Sequence, residues 1–243
     1  MSVKATRRRK EFKVEVPVED LFSSNWLLNF KIKKPFYFNP THKEFYNCIK
    51  NSNTKIAFVD GPAGSMKTYI AVYAGLELIK QENFNKIVYI RSIVESAERS
   101  LGSLPGEIDD KFSPYAIPLE EKVIEITDHS TCAILKQKGV IEALPVNFVR
   151  GLTFNKSLVV VDEAQNLSRK ELTTILTRFG RDSKYIVCGD CNQADVNRSG
   201  YRETFNKFNN KKCRDNGIHA YEFGIPEISR SKILRFICAV LGT

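Results

Sequence analysis

The sequence predicts an α/β fold, a mostly parallel β-sheet with helices on both faces. Three observations predict it. Short apolar runs of strand length recur along the chain, segments of helical composition separate them, and polar motifs follow directly on three of the runs. Strands that alternate with helices build parallel sheets, and strands buried on both faces read as unbroken apolar runs.

The elements follow in order. KIAFVD (55–60) is a short apolar run, read as a buried strand. KTYIAVYAGLELI (67–79) has helical composition, and KIVYIRS (86–92) is strand-like again. Residues 102–118 hold Pro105, Pro114, Pro118 and two glycines, which reads as a loop or a string of turns. SLVVVDE (157–163) is the strongest strand pattern in the chain. After it, Ser168 and Glu171 have the spacing of a capping box, Leu172, Ile175, Leu176 and Phe179 form one apolar helix face, and Gly180 stands where a C′ glycine would end the helix. SKYIVCGD (183–190) reads as a further strand and HAYEFG (219–224) as a last one. In SKILRFICAVLG, the residues Ile233, Leu234, Phe236, Ile237, Val240 and Leu241 give a closing helix a wide apolar stripe.

Length and composition set the outer bounds. The chain has 243 residues, which fits one large domain or two small ones, and 42% of them are hydrophobic, enough for a substantial core. The expected division is a basic N-terminal arm over residues 1–35 and a single domain over 36–243. No apolar run reaches the roughly 18 residues of a membrane span, and the charged start MSVKATRRRKEF has no apolar stretch behind it, so neither a membrane partner nor a secretory signal is expected. Six scattered cysteines suit a reducing compartment, and the expected location is the cytoplasm, a host cytoplasm if the protein is phage-encoded. Lys plus Arg total 37 against 28 Asp plus Glu, a net charge of +9 that favours polyanionic partners. The excess gathers in three knots: Arg7, Arg8, Arg9 and Lys10; Lys31, Lys33 and Lys34; Lys207, Lys211, Lys212 and Arg214. Any one knot reads most simply as solvated surface, and none carries a sequence-specific code.

The chemistry gathers at strand ends, where open α/β sheets bind ligands. GPAGSMKT (61–68) follows KIAFVD and opens the next helix. It matches the phosphate-loop pattern G-x-x-x-x-G-K-[ST] at Gly61, Lys67 and Thr68, but Met66 stands in place of the second glycine. Such a loop aims backbone N–H groups and a helix N-terminus at phosphate. Gly61, Pro62, Ala63, Gly64, Ser65, Met66, Lys67, Thr68 and Tyr69 would form the cradle, with Lys67 reaching the β- and γ-phosphates and the Thr68 hydroxyl holding Mg²⁺. VVVDEAQN (159–166) ends a buried strand in two carboxylates, which must be paired or bind metal. Asp162 would hold Mg²⁺ and Glu163 would orient and deprotonate the attacking water. In CGDCNQAD (188–195), Gln193 could bond the γ-phosphate and that water. Each motif alone is weak; the three together, in order at successive strand ends, outweigh coincidence.

GPAGSMKT, the run RSIVESAERSLGSLPGEIDDKFSPYAIP (91–118), FVRGLTF (148–154), VVDEAQN, LTRFG, GDCNQAD and SRS (229–231) resemble the PhoH family. The resemblance covers about residues 38–243. It implies a P-loop NTPase with the single RecA-like core of superfamily 1 helicases, ATP binding and hydrolysis, and a tie to RNA. The compact form is similar to versions carried by bacteriophages, which vary at the position of Met66. His42 in NPTHKEFY stands where the family places an adenine-reading glutamine; adenine contact and a plain surface histidine both stay open. SRS replaces the family's Arg-His pair but retains Arg230.

Cations beyond lysine and metal are needed as charge develops on a transferred phosphoryl group. Arg230, Arg178 and Arg91 are the candidates, with Arg230 preferred in the site and Arg178 offered to a neighbouring subunit. Cys188 and Cys191 form a CxxC that overlaps the GD motif, lacks a second ligand pair and reads as accidental. Unwinding takes two RecA-like lobes and this chain has room for one, so an activity of that kind would require a homo-oligomer, a ring or a dimer. The leading expectation is an ATP hydrolase coupled to RNA or other single-stranded nucleic acid. The alternative is a catalytically weak nucleotide switch or adaptor, with Met66 and Ser231 marking lost catalysis; a small-molecule kinase fits DEAQN poorly.

Overall fold

The computed structural model describes residues 29–35, 38–92, 108–193 and 199–242. Most of the predicted basic arm, with the knot at residues 7–10, lies outside the described residues, as do residues 93–107 of the LGSLPGE run.

The strands are β1 (Ile56–Asp60), β2 (Lys86–Arg91), β3 (Ile141–Pro145), β4 (Ser157–Asp162), β5 (Lys184–Gly189) and β6 (Ile218–Glu222). They form one sheet in the order β3-β2-β4-β5-β1-β6, and every pairing is parallel. The helices are α1 (Pro40–Lys50), α2 (Lys67–Lys80), α3 (Ile108–Ile126), α4 (His129–Gln137), α5 (Arg169–Leu176), α6 (Tyr201–Phe208), α7 (Lys211–Asp215) and α8 (Lys232–Leu241).

Side chains alternate across a strand, and that alternation sorts the core into two layers. Ala57, Val59, Ile87, Tyr89, Leu158, Val160, Ile186 and Cys188 face one cluster with Phe45 of α1, Ile70 and Leu76 of α2, Val123 of α3 and Leu135 of α4. Their neighbours Ile56, Phe58, Val88, Ile90, Val159, Val161, Tyr185 and Val187 face the other, with Leu172 and Ile175 of α5 and Tyr201 and Phe205 of α6. The predicted sheet with two covered faces is therefore what the chain builds.

Three expectations change. The stretch 102–118, expected as turns, is helical from Ile108. Proline removes a hydrogen bond from a helix interior, yet α3 carries Pro114 and Pro118, and burial of Leu119, Val123 and Ile126 at helical spacing offsets the loss. Gly180 does not end α5, which stops at Leu176 with Thr177 as its cap. Glycine is needed there because a Cβ would lie 2.0 Å from the Phe154 carbonyl oxygen. The apolar stripe of α8 is real but mostly unburied: Phe236 is 65% and Val240 68% exposed, Leu234 is half-buried over Gly64, and Cys238 is buried. Strand β3 and helices α1, α4, α6 and α7 are additions that the sequence patterns did not single out.

Candidate phosphate-binding cleft

Parallel strands put all their carboxyl ends on one rim, and the cleft lies there. It has a volume of about 550 Å³ and is lined by the loop from Ala63 through Tyr69, by Asp162, Glu163 and Gln165 beyond β4, by Cys188 to Asp190 and Gln193 beyond β5, and by Ser229 and Arg230. Lys122 and Glu125 of α3 complete one wall.

The loop is organised from below. Ser65 Oγ donates to the Pro62 carbonyl (2.7 Å), and Lys67 Nζ donates to the carbonyls of Gly61 (2.6 Å) and Pro62 (2.9 Å). Gly61 and Pro62 thus act through their carbonyls, beneath the cleft surface. At Gly61 a Cβ would meet the Phe223 Cβ at 2.6 Å, so the backbones of β1 and the segment after β6 can approach only without one. Met66 has φ 64° and ψ 12°, the left-handed conformation. The familiar glycine of the pattern fits that geometry freely; an L side chain there costs about 1–2 kcal/mol. Met66 adopts it as the N-cap of α2 and packs its partly buried side chain on the core.

Beyond β4 the two carboxylates do different things. Asp162 Oδ1 accepts from the Thr68 hydroxyl at 2.6 Å, and Oδ2 accepts from the Tyr89 hydroxyl at 2.5 Å. Burial and the adjacent Asp162 push the Tyr89 phenol well above its ordinary range, so it stays a donor. Glu163 has φ 51°, a second non-glycine left-handed residue on the cleft. Its Oε1 lies 3.7 Å from Arg91 and its Oε2 accepts from Gln165 Nε2 at 2.7 Å. Gln165, 2% exposed, also accepts the Asp190 backbone N–H at 3.0 Å, so one amide ties the end of β4 to the end of β5. Strained backbone held in place by such ties is a recurrent feature of functional sites.

Beyond β5, Asp190 is buried, and burial raises its carboxyl above the usual range. Its Oδ1 accepts from the Asn192 N–H, while Oδ2 has no hydrogen-bond partner among the described residues. Asp60, at the end of β1, accepts from the Cys191 N–H and pairs with Arg202 at 3.5 Å. Cys188 is fully buried, and that burial pushes its thiol far up, away from redox chemistry. No group of three or more His, Cys, Asp or Glu placed to hold a metal ion occurs among the described residues.

The structure brings Ala63 through Tyr69, Asp162, Glu163, Gln193 and Arg230 to one cleft. His42 is elsewhere. It is 1% exposed under the loop, with Nε2 3.2 Å from the Ser65 carbonyl and Nδ1 accepting from the Asn39 N–H at 3.4 Å. It is neither a surface residue nor part of the cleft lining. It is the third residue of α1 and closes that helix's capping box with Asn39, a local role visible in the spacing of NPTH. Burial holds its imidazole below the ordinary range, in the neutral form. Arg178 is at the far end of the sheet, beside Tyr185 at the start of β5. Gln165, Tyr89 and Asp190 went unassigned in the sequence. Gln165 stands two places after Glu163 and Tyr89 two places before Arg91, so alternation and proximity were the available signals.

The model of the family described as PhoH-like protein matches residues 37–241. PhoH-like proteins of Mycobacterium bovis and Bacillus subtilis are 39% and 36% identical to this chain over 163 and 154 residues, 66% and 63% of it. Protein PhoH of Escherichia coli is 30% identical over 184 residues, 74% of the chain. The chain spans about half the length of these relatives, 46%, 47% and 51% respectively. Among solved structures, unliganded Pif1 from Bacteroides sp. aligns over 86% of this chain and 46% of its own, at 17% identity and a TM-score of 0.42. With a match over nearly its whole length, and the loop, the DEAQN turn and the GD turn meeting in one cleft, the chain belongs to the PhoH-like protein family.

Proposed function

We propose that this P-loop protein binds ATP with Mg²⁺ in the cleft, hydrolyses it, and couples hydrolysis to RNA or other single-stranded nucleic acid. The observation that carries the reading is the contact of Thr68 with Asp162 at 2.6 Å, which joins the loop helix to the carboxylate end of β4 beside Glu163. A hydroxyl and a carboxylate in contact are the hard oxygen donors that suit Mg²⁺. When bound, the ion would neutralise phosphate charge. The N–H groups of residues 63–68 and the α2 N-terminus face the phosphates. Lys67 exchanges the carbonyls of Gly61 and Pro62 for phosphate oxygens. Glu163, oriented by Gln165, takes the proton of the attacking water, with Gln193 positioned to hold that water. Arg230 on the open lip meets the charge that develops on the transferred group.

Steady-state ATP hydrolysis with Mg²⁺, with and without single-stranded RNA, tests the proposal. Lys67→Ala is expected to lose nucleotide binding; Glu163→Gln is expected to bind ATP and not turn it over. ATP bound by the wild type without any turnover would make the protein a nucleotide switch. Turnover indifferent to RNA would remove the coupling.

A further inference from the structure

The opposite rim of the sheet, where the strands begin, carries a charge pattern that the nucleotide cleft does not explain. Lys55 precedes β1, Lys156 precedes β4, Arg181 and Lys184 lead into β5, and Lys211 and Lys212 precede β6. Parallel topology places all of these on one edge, and the backbone confirms their adjacency. Lys55 N–H donates to the Gly217 carbonyl (2.7 Å), Tyr185 N–H to that of Lys55 (2.9 Å), and Lys156 N–H to that of Arg181 (2.8 Å). Lys55, Lys156, Arg181, Lys211 and Lys212 are exposed, and the ion pairs among the described residues include none of them. Acidic residues are interspersed, Glu82, Asp182 and Asp215 among them, and Glu77 and Glu142 are paired with Lys50 and Lys86, which leaves the rim's other bases in excess. The cleft rim is mixed: Asp60, Asp162, Glu163, Asp190, Glu222 and Glu227 lie at or near the strand ends, with Lys67, Arg91, Arg202 and Arg230 among them.

In the basic rim is a recess of about 250 Å³ whose lining includes three cations, Lys50, Lys55 and Lys184, one carboxylate, Asp182, and the polar side chains of Ser52 and Asn83. Lys184 is 3% exposed. Its ammonium donates to the Ile49 carbonyl and, at 2.7 Å, to the Asn51 carbonyl at the end of α1, and the ion pairs among the described residues do not include it. Burial above all, with Lys55 and Lys50 adding to it, disfavours that charge; Lys50 is itself paired with Glu77 at 3.4 Å, whereas Lys55 is in no ion pair among the described residues. The three cations outnumber the one carboxylate of the lining, and an anion in the recess would offset the cost of the buried ammonium.

We propose that this rim binds the phosphodiester backbone of nucleic acid, with one phosphate seated in the recess at Lys184. The basic residues of the rim sit on loops, on the short helix α7 and at the start of β5, with Asn83, Asn155 and Asn210 in the neighbouring turns, and such a surface reads phosphates and no base sequence. It lies across the sheet from the cleft, so strand and nucleotide occupy separate faces of one domain.

The test is fluorescence anisotropy of labelled 20-nucleotide oligo(rU) and oligo(dT) on the full chain without nucleotide, from low to physiological salt. Arg181→Glu/Lys211→Glu/Lys212→Glu is compared with Lys43→Glu/Lys170→Glu/Lys232→Glu, which changes the net charge equally with exposed residues near the cleft rim. The rim variant is expected to lose at least tenfold in affinity with a shallower salt dependence, since each phosphate contact contributes a slope of about −0.7 on single strands. The cleft-side variant and Lys67→Ala are expected to stay within threefold of wild type. Basal ATP hydrolysis unchanged in the rim variant shows that it is folded. Equal losses in both triple variants, or none in the rim variant, would overturn the proposal. So would oligo(rU) bound more than tenfold tighter than oligo(dT), which points to 2′-hydroxyl readout, or binding to phosphatidylserine vesicles with neither oligonucleotide bound. Rim binding with no effect on ATP turnover would uphold the surface and remove only the coupling.

Discussion

Met66 tests the geometry of the loop through an inversion of sign. Its φ of 64° lies in the left-handed region. Met66→Ala deletes the side chain beyond Cβ and retains the left-handed cost; Met66→Gly deletes the Cβ as well and sheds that cost. The packing lost against the core is nearly common to both, so the difference between the two variants isolates the backbone. Relief of the left-handed conformation is worth about 1–2 kcal/mol, and the freedom that glycine adds to the unfolded chain returns about 0.4–1 kcal/mol. The glycine variant should therefore be more stable than the alanine variant by about 0.5–1 kcal/mol. At an ordinary helical position glycine is the less stable by about the same amount. Urea denaturation of both variants, with equal m-values required, measures the difference. In thermal melts it amounts to about 1–4 °C for a chain of this size. An alanine variant as stable as the glycine variant, or more so, would refute a left-handed residue 66 and with it the explanation of why the usual pattern has glycine there.

Further outcomes follow from single contacts. Gly180→Ala should destabilise by about 3 kcal/mol, because its Cβ would meet the Phe154 carbonyl at 2.0 Å and backbone must move; a loss under 1 kcal/mol in urea denaturation would contradict the packing of this corner. Gln165→Leu should lower kcat about tenfold or more at nearly unchanged KM, since it frees Glu163 and leaves the Asp190 N–H unpaired; an equal loss in KM would assign Gln165 to binding. Burial lowers Lys184 from 10.5 to about 8. Below pH 8 the lysine is charged in both states and its burial cost is fully present. Between pH 8 and 10.5 the unfolded chain binds the extra proton, so stability from this group rises with pH, at most about 1.4 kcal/mol per unit. Wild type should gain on Lys184→Met across that window in urea denaturation; a parallel pH dependence would place the ammonium in water.

The sheet could be read because its signals are local. Apolar runs such as KIAFVD and SLVVVD name buried strands, and Ser168 with Glu171 names a helix start, since both depend on residues within one turn or one strand. The loop, the DEAQN turn and the GD turn were legible for the same reason, each directly following its strand. Edge strand β3 was not, because IEALP has few strand-favouring side chains, with Glu142 and Ala143 inside the run and Pro145 ending it. The helicity of α3 against two prolines was not, because the burial that offsets them comes from β2, β3 and α2 across the core.

What the sequence by itself determined is the layered parallel sheet and the residues gathered at its carboxyl rim. Only the tertiary structure decided how those residues are used: that His42 lies under the loop and outside the cleft, that Gln165 ties Glu163 to the end of β5, that Gly180 yields to a carbonyl from residue 154, and that Met66 and Glu163 are held left-handed. The physical reason is range. Periodicity and capping record neighbours along the chain, whereas close approach, ties between strand ends and charge gathered on one rim arise between residues that only the folded sheet makes adjacent.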